Sequence, residues 1–261
     1  MYPPDDPFLL FRLFGLISIR WYAVCILGGA LLAAWFGARR AERRGHNPEH
    51  AWNLLALGLV TSIAAARAWY VFFEWSNYRG KSLLEIINPG TGGIAIHGAI
   101  VGALVGTLIY TRLNKLNFVE WIDLGAPCMA IGQAIGRWGN FFNQEAYGRP
   151  TTLPWGLRID PAQRLPPYHE PPYGEATRFH PTFLYESLWN TGVLFALLLI
   201  ERRFRRRLLP GDIFLLYGIL YSLGRVWIEG LRTDSLCTSG VGGSCAGALR
   251  TAQVVSLVVV A

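Results

Sequence analysis

This 261-residue sequence is short of charge: 16% of residues are charged and 52% hydrophobic, where a soluble domain carries roughly 25% charged residues. So little charge beside 10 Trp, 11 Tyr and 14 Phe excludes intrinsic disorder and a coiled coil, which need polar or charge-patterned surfaces. The net charge of +7 would suit a nucleic-acid partner only if the arginines lay on a folded soluble face. They bunch instead between long apolar runs, so no nucleic acid is expected. No internal repeat with a period of roughly 20–50 residues stands out. The 4 cysteines show no zinc-ligand spacing. The opening run Met1-Tyr2-Pro3-Pro4-Asp5-Asp6 is acidic and leads to no small-residue cleavage site, so no cleavable signal peptide is expected.

What the sequence does have is apolar runs. A bilayer core about 30 Å thick needs roughly 20 apolar helical residues. Runs at 17–36, 52–73, 94–110, 121–135, 183–200 and 213–231 approach or meet that length. The fourth is short and holds Asp123, Gly125 and Pro127. A seventh begins at 251–261 but is too short at about 1.5 Å per residue; it is expected either to be cut inside its helix or to enter the bilayer only halfway. The expected fold is an all-α polytopic membrane protein of about seven transmembrane helices.

Orientation follows from arginine and lysine in the short loops. Arg39, Arg40, Arg43 and Arg44, then Arg112 and Lys115, then Arg202, Arg203, Arg205, Arg206 and Arg207 fall in alternating loops. They set those loops inside, the N-terminus outside and a completed seventh helix ending inside. The stretch 137–182, rich in Pro, Gly and Tyr, then becomes an external, periplasmic head inserted into a single membrane domain. Cys25 and Cys128 fall in or near spans and read as packing residues. Cys237 and Cys245 share an external loop, where they either pair or stay free.

Ionisable groups at membrane depth cost several kcal/mol and usually face a cavity, a partner or a substrate. The informative set is His97, Arg137, Glu145, Arg225 and Glu229, with Tyr22 and Asn140 as polar neighbours. On the topology above, five segments bring these groups to one depth near the external surface. Each also has a plain structural reading. Arg225 and Glu229 make an i,i+4 ion pair, and His97 an interhelical hydrogen bond. Gly98, Gly102 and Gly106 form a close-packing ladder. Arg20 and Arg67 snorkel or pair with Glu74, and the 202–207 arginines anchor the topology at anionic membrane lipids.

The densest signal is Gly136-Arg137-Trp138-Gly139-Asn140-Phe141-Phe142-Asn143-Gln144-Glu145-Ala146-Tyr147-Gly148-Arg149. It sets a fixed cation, amides and a carboxylate at the mouth of a span. Guanidinium groups match phosphate oxygens bidentately, so Arg137 and Arg225 at headgroup depth would clamp a phosphodiester. The plain alternative is an interfacial anchor of Trp, Phe and Arg.

This segment resembles the signature of the bacterial prolipoprotein diacylglyceryl transferase family, Gly-Arg-x-Gly/Ala-Asn-Phe-x-Asn-x-Glu-x-x-Gly, and meets every fixed position from Gly136 to Gly148. Ile19-Arg20-Trp21-Tyr22, His97-Gly98, His180-Pro181-Thr182-x-Leu184-Tyr185-Glu186 and Tyr221-x-x-x-Arg225-x-x-x-Glu229 are similar to the same family, in the same order. Two departures stand out. Gly-Ala follows His97 where the family usually has Gly-Gly, and Arg232-Thr233-Asp234 lacks the Pro that commonly precedes the Asp.

The resemblance implies transfer of the diacylglyceryl group of phosphatidylglycerol to the lipobox cysteine of a preprolipoprotein, with release of glycerol-1-phosphate. It implies a bacterial plasma (inner) membrane, and neither a metal nor another cofactor. Arg137 and Arg225 are expected to hold the phosphodiester and stabilise the leaving phosphate. His97 is expected to be the base for the thiol, since imidazole titrates near working pH. Glu145 and Glu229 orient the arginines or share that role. The phosphatidylglycerol contacts expected beside Arg137 are Asn140, Tyr22, Gly148, Tyr221 and Tyr185. A transporter would instead show pseudo-repeats or spans broken at the midplane, and a serine protease a Ser–His pair in a nucleophile elbow; neither stands out.

Overall fold

The computed structural model describes residues 17–234 together with 1, 3, 9–13, 250, 253 and 256. The elements are β1 (Leu9–Leu13), β2 (Ile17–Arg20), α1 (Trp21–Arg43), α2 (Glu49–Phe73), α3 (Leu83–Ile87), α4 (Ile96–Leu113), α5 (Phe118–Asn143), β3 (Pro150–Thr151), β4 (Arg178–Phe179), α6 (Thr182–Phe204) and α7 (Asp212–Leu231). The protein is an all-α polytopic membrane protein. Among the described residues, five helices, α1, α2, α4, α6 and α7, are long and apolar enough to cross a bilayer.

Local chemistry sets the helix ends. Asn117 Oδ1 accepts the Val119 N–H at 3.0 Å and starts α5. Ser82 and Glu85 form a reciprocal capping box on α3. Asp212 Oδ2 accepts the Leu209 N–H at 2.7 Å, just after Gly211 turns the chain at φ +101°.

Two spans differ from expectation. The first does not begin at residue 17: Ile17–Arg20 pairs antiparallel with Leu9–Leu13, as suits the β-branched alternation Ile-Ser-Ile, and the helix starts at Trp21. The fourth is no short 121–135 run but a 26-residue helix that carries Pro127 inside it. Residues 137–143, expected in the head, are therefore helical. The 251–261 segment and the Cys237 and Cys245 pair fall outside the described residues, apart from Gln253 and Ser256.

The chain divides into two compact units, Met1–Ala33 with Ala126–Ala261, and Ala34–Gly125. In the second, Ala38, Ala41, Ala51, Trp121 and Leu124 form a small core. Its main contact is α2 on α4, made through the expected glycine ladder. Gly98, Gly102 and Gly106 are buried in that face. A Cβ on Gly102 would stand 2.3 Å from the Thr61 carbonyl oxygen and 2.7 Å from the Ala65 Cβ. Lipid tails offer no hydrophobic drive between helices, so such close backbone approach supplies the attraction. Apolar side chains such as Val60, Phe72 and Phe73 point outward.

In the first unit, α6 and α7 pack with α5 around Ala126, Ala130, Val193, Leu197, Ile213 and Tyr217. The segment between α5 and α6 has a core of its own, Tyr147, Leu157, Ile159, Phe179 and Phe183. There β3 pairs antiparallel with β4. Arg164 braces this core from beneath the Phe179 ring, donating to the Ile159 carbonyl at 3.1 Å and the Gly174 carbonyl at 3.1 Å.

The ladder makes a direct prediction. Gly102→Ala overpacks the α2–α4 contact and lowers stability by about 1–3 kcal/mol, read as a fall in thermal midpoint in detergent. Gly58→Ala in α2, where a Cβ meets nothing within 4 Å, leaves the midpoint unchanged or slightly higher.

Candidate active site

One buried carboxylate organises the polar interior of the first unit. Glu186, in the first two turns of α6, is 3% exposed. Arg137 Nε of α5 lies 2.6 Å from its Oε2, and Arg225 Nη1 of α7 donates to its Oε1 at 2.9 Å. Arg232, just past α7, brings Nη1 to 3.6 Å from the same Oε1. Arg225 also pairs with Glu229 one turn on. Arg232 grips Asp234 bidentately, Nε to Oδ1 at 2.9 Å and Nη2 to Oδ2 at 2.7 Å. Three guanidinium groups thus meet three carboxylates, a balance of charge that a membrane protein interior demands.

The hydrogen bonds at the far end hold charges in place. Burial alone would raise the Asp234 carboxyl, but the bonds and charge of Arg232 outweigh it and hold the group below the usual carboxylate range. Burial alone would likewise lower Arg232, yet the bonds and charge of Asp234, with Glu186 and Glu229 behind it, push it above the usual guanidinium range.

Beside this cluster α5 ends in a tight reversal. Asn140 Nδ2 donates to Glu145 Oε1 at 2.9 Å, and Asn143 Nδ2 reaches the same oxygen at 3.4 Å. The residues flanking Glu145, Gln144 and Ala146, sit at φ +51° and +53°, a left-handed conformation that costs of order 1–3 kcal/mol outside glycine. Bonds from elsewhere hold it. Gln144 Oε1 accepts the Asp160 N–H at 2.7 Å, and the Thr182 hydroxyl donates to the Ala146 carbonyl. The turn presents an exposed Glu145 on a fixed backbone.

The other expected residues fall in several places. Tyr22 lies against Gly139, where a Cβ would come within 2.8 Å of its ring, and within reach of the charges of Glu145 and Arg137. Gly148 is buried, with room for no side chain: a Cβ there would stand 2.7 Å from that of His180 and 3.1 Å from the Leu231 carbonyl. Its N–H donates to the His180 carbonyl at 2.9 Å. Tyr185 takes the Trp155 indole N–H at 3.1 Å and pairs with His180 Nδ1 at 3.2 Å. Burial holds the His180 imidazole below its usual range. Tyr221 stacks on Tyr217, ring centroids 5.9 Å apart.

His97 belongs to the second unit. It heads α4, exposed, and stacks at 6.5 Å between ring centroids on Trp69. Arg67 departs from the sequence reading. It neither snorkels nor pairs with Glu74, but is 4% exposed and donates to main-chain carbonyls. Sequence alone assigns no role to Glu186, Arg232, Asp234 and Gln144. For Glu186 a signal existed: a carboxylate in the first turns of an apolar span must find partners.

The family description "Prolipoprotein diacylglyceryl transferase" matches residues 8–261. The chain belongs to this family. It is 57% identical over 270 residues to the phosphatidylglycerol–prolipoprotein diacylglyceryl transferase of Chloroflexus aggregans, covering 100% of this chain and 88% of that one. The protein of the same name from Thermosynechococcus vestitus is 47% identical over 95% of this chain and 87% of its own. That from Gloeobacter violaceus is 46% identical over 93% and 85%.

In this diacylglyceryl transferase chain the Glu186 cluster supports two predictions. Glu186→Ala removes the carboxylate that Arg137 pairs with and one of the two carboxylates at Arg225 and at Arg232, and costs about 3–5 kcal/mol, while Glu186→Gln keeps hydrogen-bond acceptance and loses less; denaturation in detergent ranks them. The Asp234 pair is sensitive to acid. Its folded carboxyl binds protons less readily than the unfolded one, so its stabilisation is full above the usual carboxylate range and fades as pH falls through the folded value. The thermal advantage of the wild type over Asp234→Asn therefore shrinks from pH 7 to the acid end of a titration.

Proposed function

We propose that this chain transfers the sn-1,2-diacylglyceryl group of phosphatidylglycerol to the lipobox cysteine thiol of a preprolipoprotein, releasing glycerol-1-phosphate. Membership of the family supports this reading. The observation that carries it is the meeting of Arg137 and Arg225 at one shared buried carboxylate, Glu186. Guanidinium groups match the oxygens of a diester phosphate as they match those of a carboxylate.

The step is a displacement at the glyceryl carbon. The cysteine thiol loses its proton to a base, the thiolate sulfur bonds the glyceryl carbon, and the carbon–oxygen bond to phosphate breaks. The bonding pair leaves on the phosphate of glycerol-1-phosphate. Arg137 and Arg225 stabilise that charge where it accumulates, as preorganised donors do. His97 serves as the thiol base. Glu229 holds Arg225 in register, and Glu145 does the same service for Asn140, which contacts the headgroup with Tyr22, Tyr185 and Tyr221. Gly148 contributes through the close passage of its backbone. No metal or other cofactor takes part.

The positive loops support a plasma membrane orientation with the N-terminus outside, the C-terminus inside, the 137–182 segment external and the chemistry towards the outer face.

The test is purified protein in detergent with phosphatidylglycerol and a lipobox peptide. Peptide-dependent release of glycerol phosphate with a diacylglyceryl gain in peptide mass is the expected result; no release from folded protein overturns the reading. Arg137→Ala lowers the rate by at least about 10²-fold with the fold intact. His97→Gln at near-full rate would move the base role to a glutamate.

A further inference from the structure

Arg67 is the most fully engaged side chain of the second unit, and the reaction as described makes no use of it. It lies in the last two turns of α2, an apolar helix where a buried cation is expensive. Its guanidinium donates from Nε to the Ile86 carbonyl at 2.8 Å and from Nη2 to the Glu85 carbonyl at 2.8 Å. Nη1 donates to the Gly92 carbonyl at 2.6 Å and the Gly93 carbonyl at 3.0 Å. The Tyr78 ring lies 5.0 Å from its Cζ, adding a cation–π contact.

These partners are consecutive parts of one segment. Glu85 and Ile86 are the last turn of α3, whose carbonyls have no helical partner and favour a cation. Gly92 and Gly93, at φ +85° and +76°, turn the chain towards α4. A Cβ on Gly93 would stand 2.6 Å from the Tyr70 ring and 2.8 Å from Arg67 Nη1, so only glycine lets the strand of carbonyls close on the arginine. The next step is fixed by backbone: the Ala95 N–H donates to the Ala66 carbonyl at 3.1 Å. Two residues later comes His97, stacked on Trp69, and then Gly98, pressed so closely to α2 that a Cβ would lie 2.6 Å from the Trp69 Cβ.

We propose that Arg67 is a positioning residue that fixes the imidazole of His97, by clamping the 85–93 segment to the same helix that carries Trp69. The proposal rests on the reading of His97 as the thiol base. Arginine is needed for its shape. A planar fork with five donors spans four carbonyls on two sides, where a lysine ammonium offers three donors at one point. Because all four acceptors are main-chain oxygens, the clamp sets the path of the segment directly.

The experiment uses the full chain in detergent with [13Cε1]-histidine, which labels the 5 histidines; the His97 resonance is assigned by its loss in His97→Gln. In Arg67→Lys, folded by thermal midpoint, the His97 resonance shifts or broadens while the others stay. Transfer falls about ten- to a hundredfold in kcat, with KM for phosphatidylglycerol held within about twofold, as loss of orientation alone requires. Combining Arg67→Lys with His97→Gln makes the enzyme no slower than His97→Gln alone. An unmoved His97 resonance, or losses that multiply, overturns the proposal. Should Arg67→Lys fail to fold, Tyr78→Leu removes the ring beneath the guanidinium, leaves its hydrogen bonds, and carries the same resonance test. If His97→Gln keeps the full rate, the base assignment falls while the resonance still decides what Arg67 does.

Discussion

Arg67, Arg137, Arg225 and Arg232 answer to one constraint: a guanidinium that leaves water for a membrane interior must find acceptors before the helices around it can pack. Glu186 meets that need for Arg137, Arg225 and Arg232 together. The three arginines come from α5, α7 and the chain just beyond α7, so the carboxylate on α6 ties three parts of the fold through charge. The neighbouring packing is built to the same plan. Trp189 of α6 donates to the Leu220 carbonyl of α7 at 2.9 Å, and Gly224 leaves the space that its indole fills.

The second tie is backbone strain. The reversal after α5 puts Gln144 and Ala146 in left-handed conformations, which neither residue prefers. Asp160, in the segment between α5 and α6, and Thr182, at the start of α6, supply the compensation. That segment also has its own buried core around Phe179 and Tyr147. Its folding therefore bears on Glu145 directly.

Apolar run length made most of the fold legible. The runs at 52–73, 183–200 and 213–231 lie within α2, α6 and α7 because an apolar stretch of bilayer length has no better alternative than helix. The two errors share a cause: run length sees hydrophobicity and misses backbone pairing and capping. Ile17-Ser18-Ile19 is apolar enough for a span, but Leu9–Leu13 offers it a ladder. In α5, polar Glu120, Arg137 and Asn140 end the apolar run without ending the helix. The charged cluster was legible as a set of costly residues, and Arg137, Arg225 and Glu229 do meet in it. What pattern could not supply was the pairing. Glu186 stood in view as a carboxylate inside a span, yet which arginines it serves depends on how α5, α6 and α7 are rotated. Arg67 misled for the same reason, since its partners are carbonyls, which have no signature in sequence.

The two arginine arrangements differ in what they permit. Arg137 and Arg225 are satisfied by carboxylates, groups with the charge and the oxygen geometry of a phosphate. Exchange of one such partner for another anion conserves both the charge balance and the hydrogen bonds, so these arginines can be well compensated at rest and still accept a ligand. Arg67 is satisfied by neutral carbonyls that belong to a folded segment. No anion can replace them without leaving main-chain oxygens unpaired in a buried place, each worth about 1–3 kcal/mol. A guanidinium held by carboxylates is thus suited to meeting a substrate, and one held by carbonyls to fixing the shape of the chain around it. The same residue type faces exchangeable anions in the first unit and the folded main chain in the second.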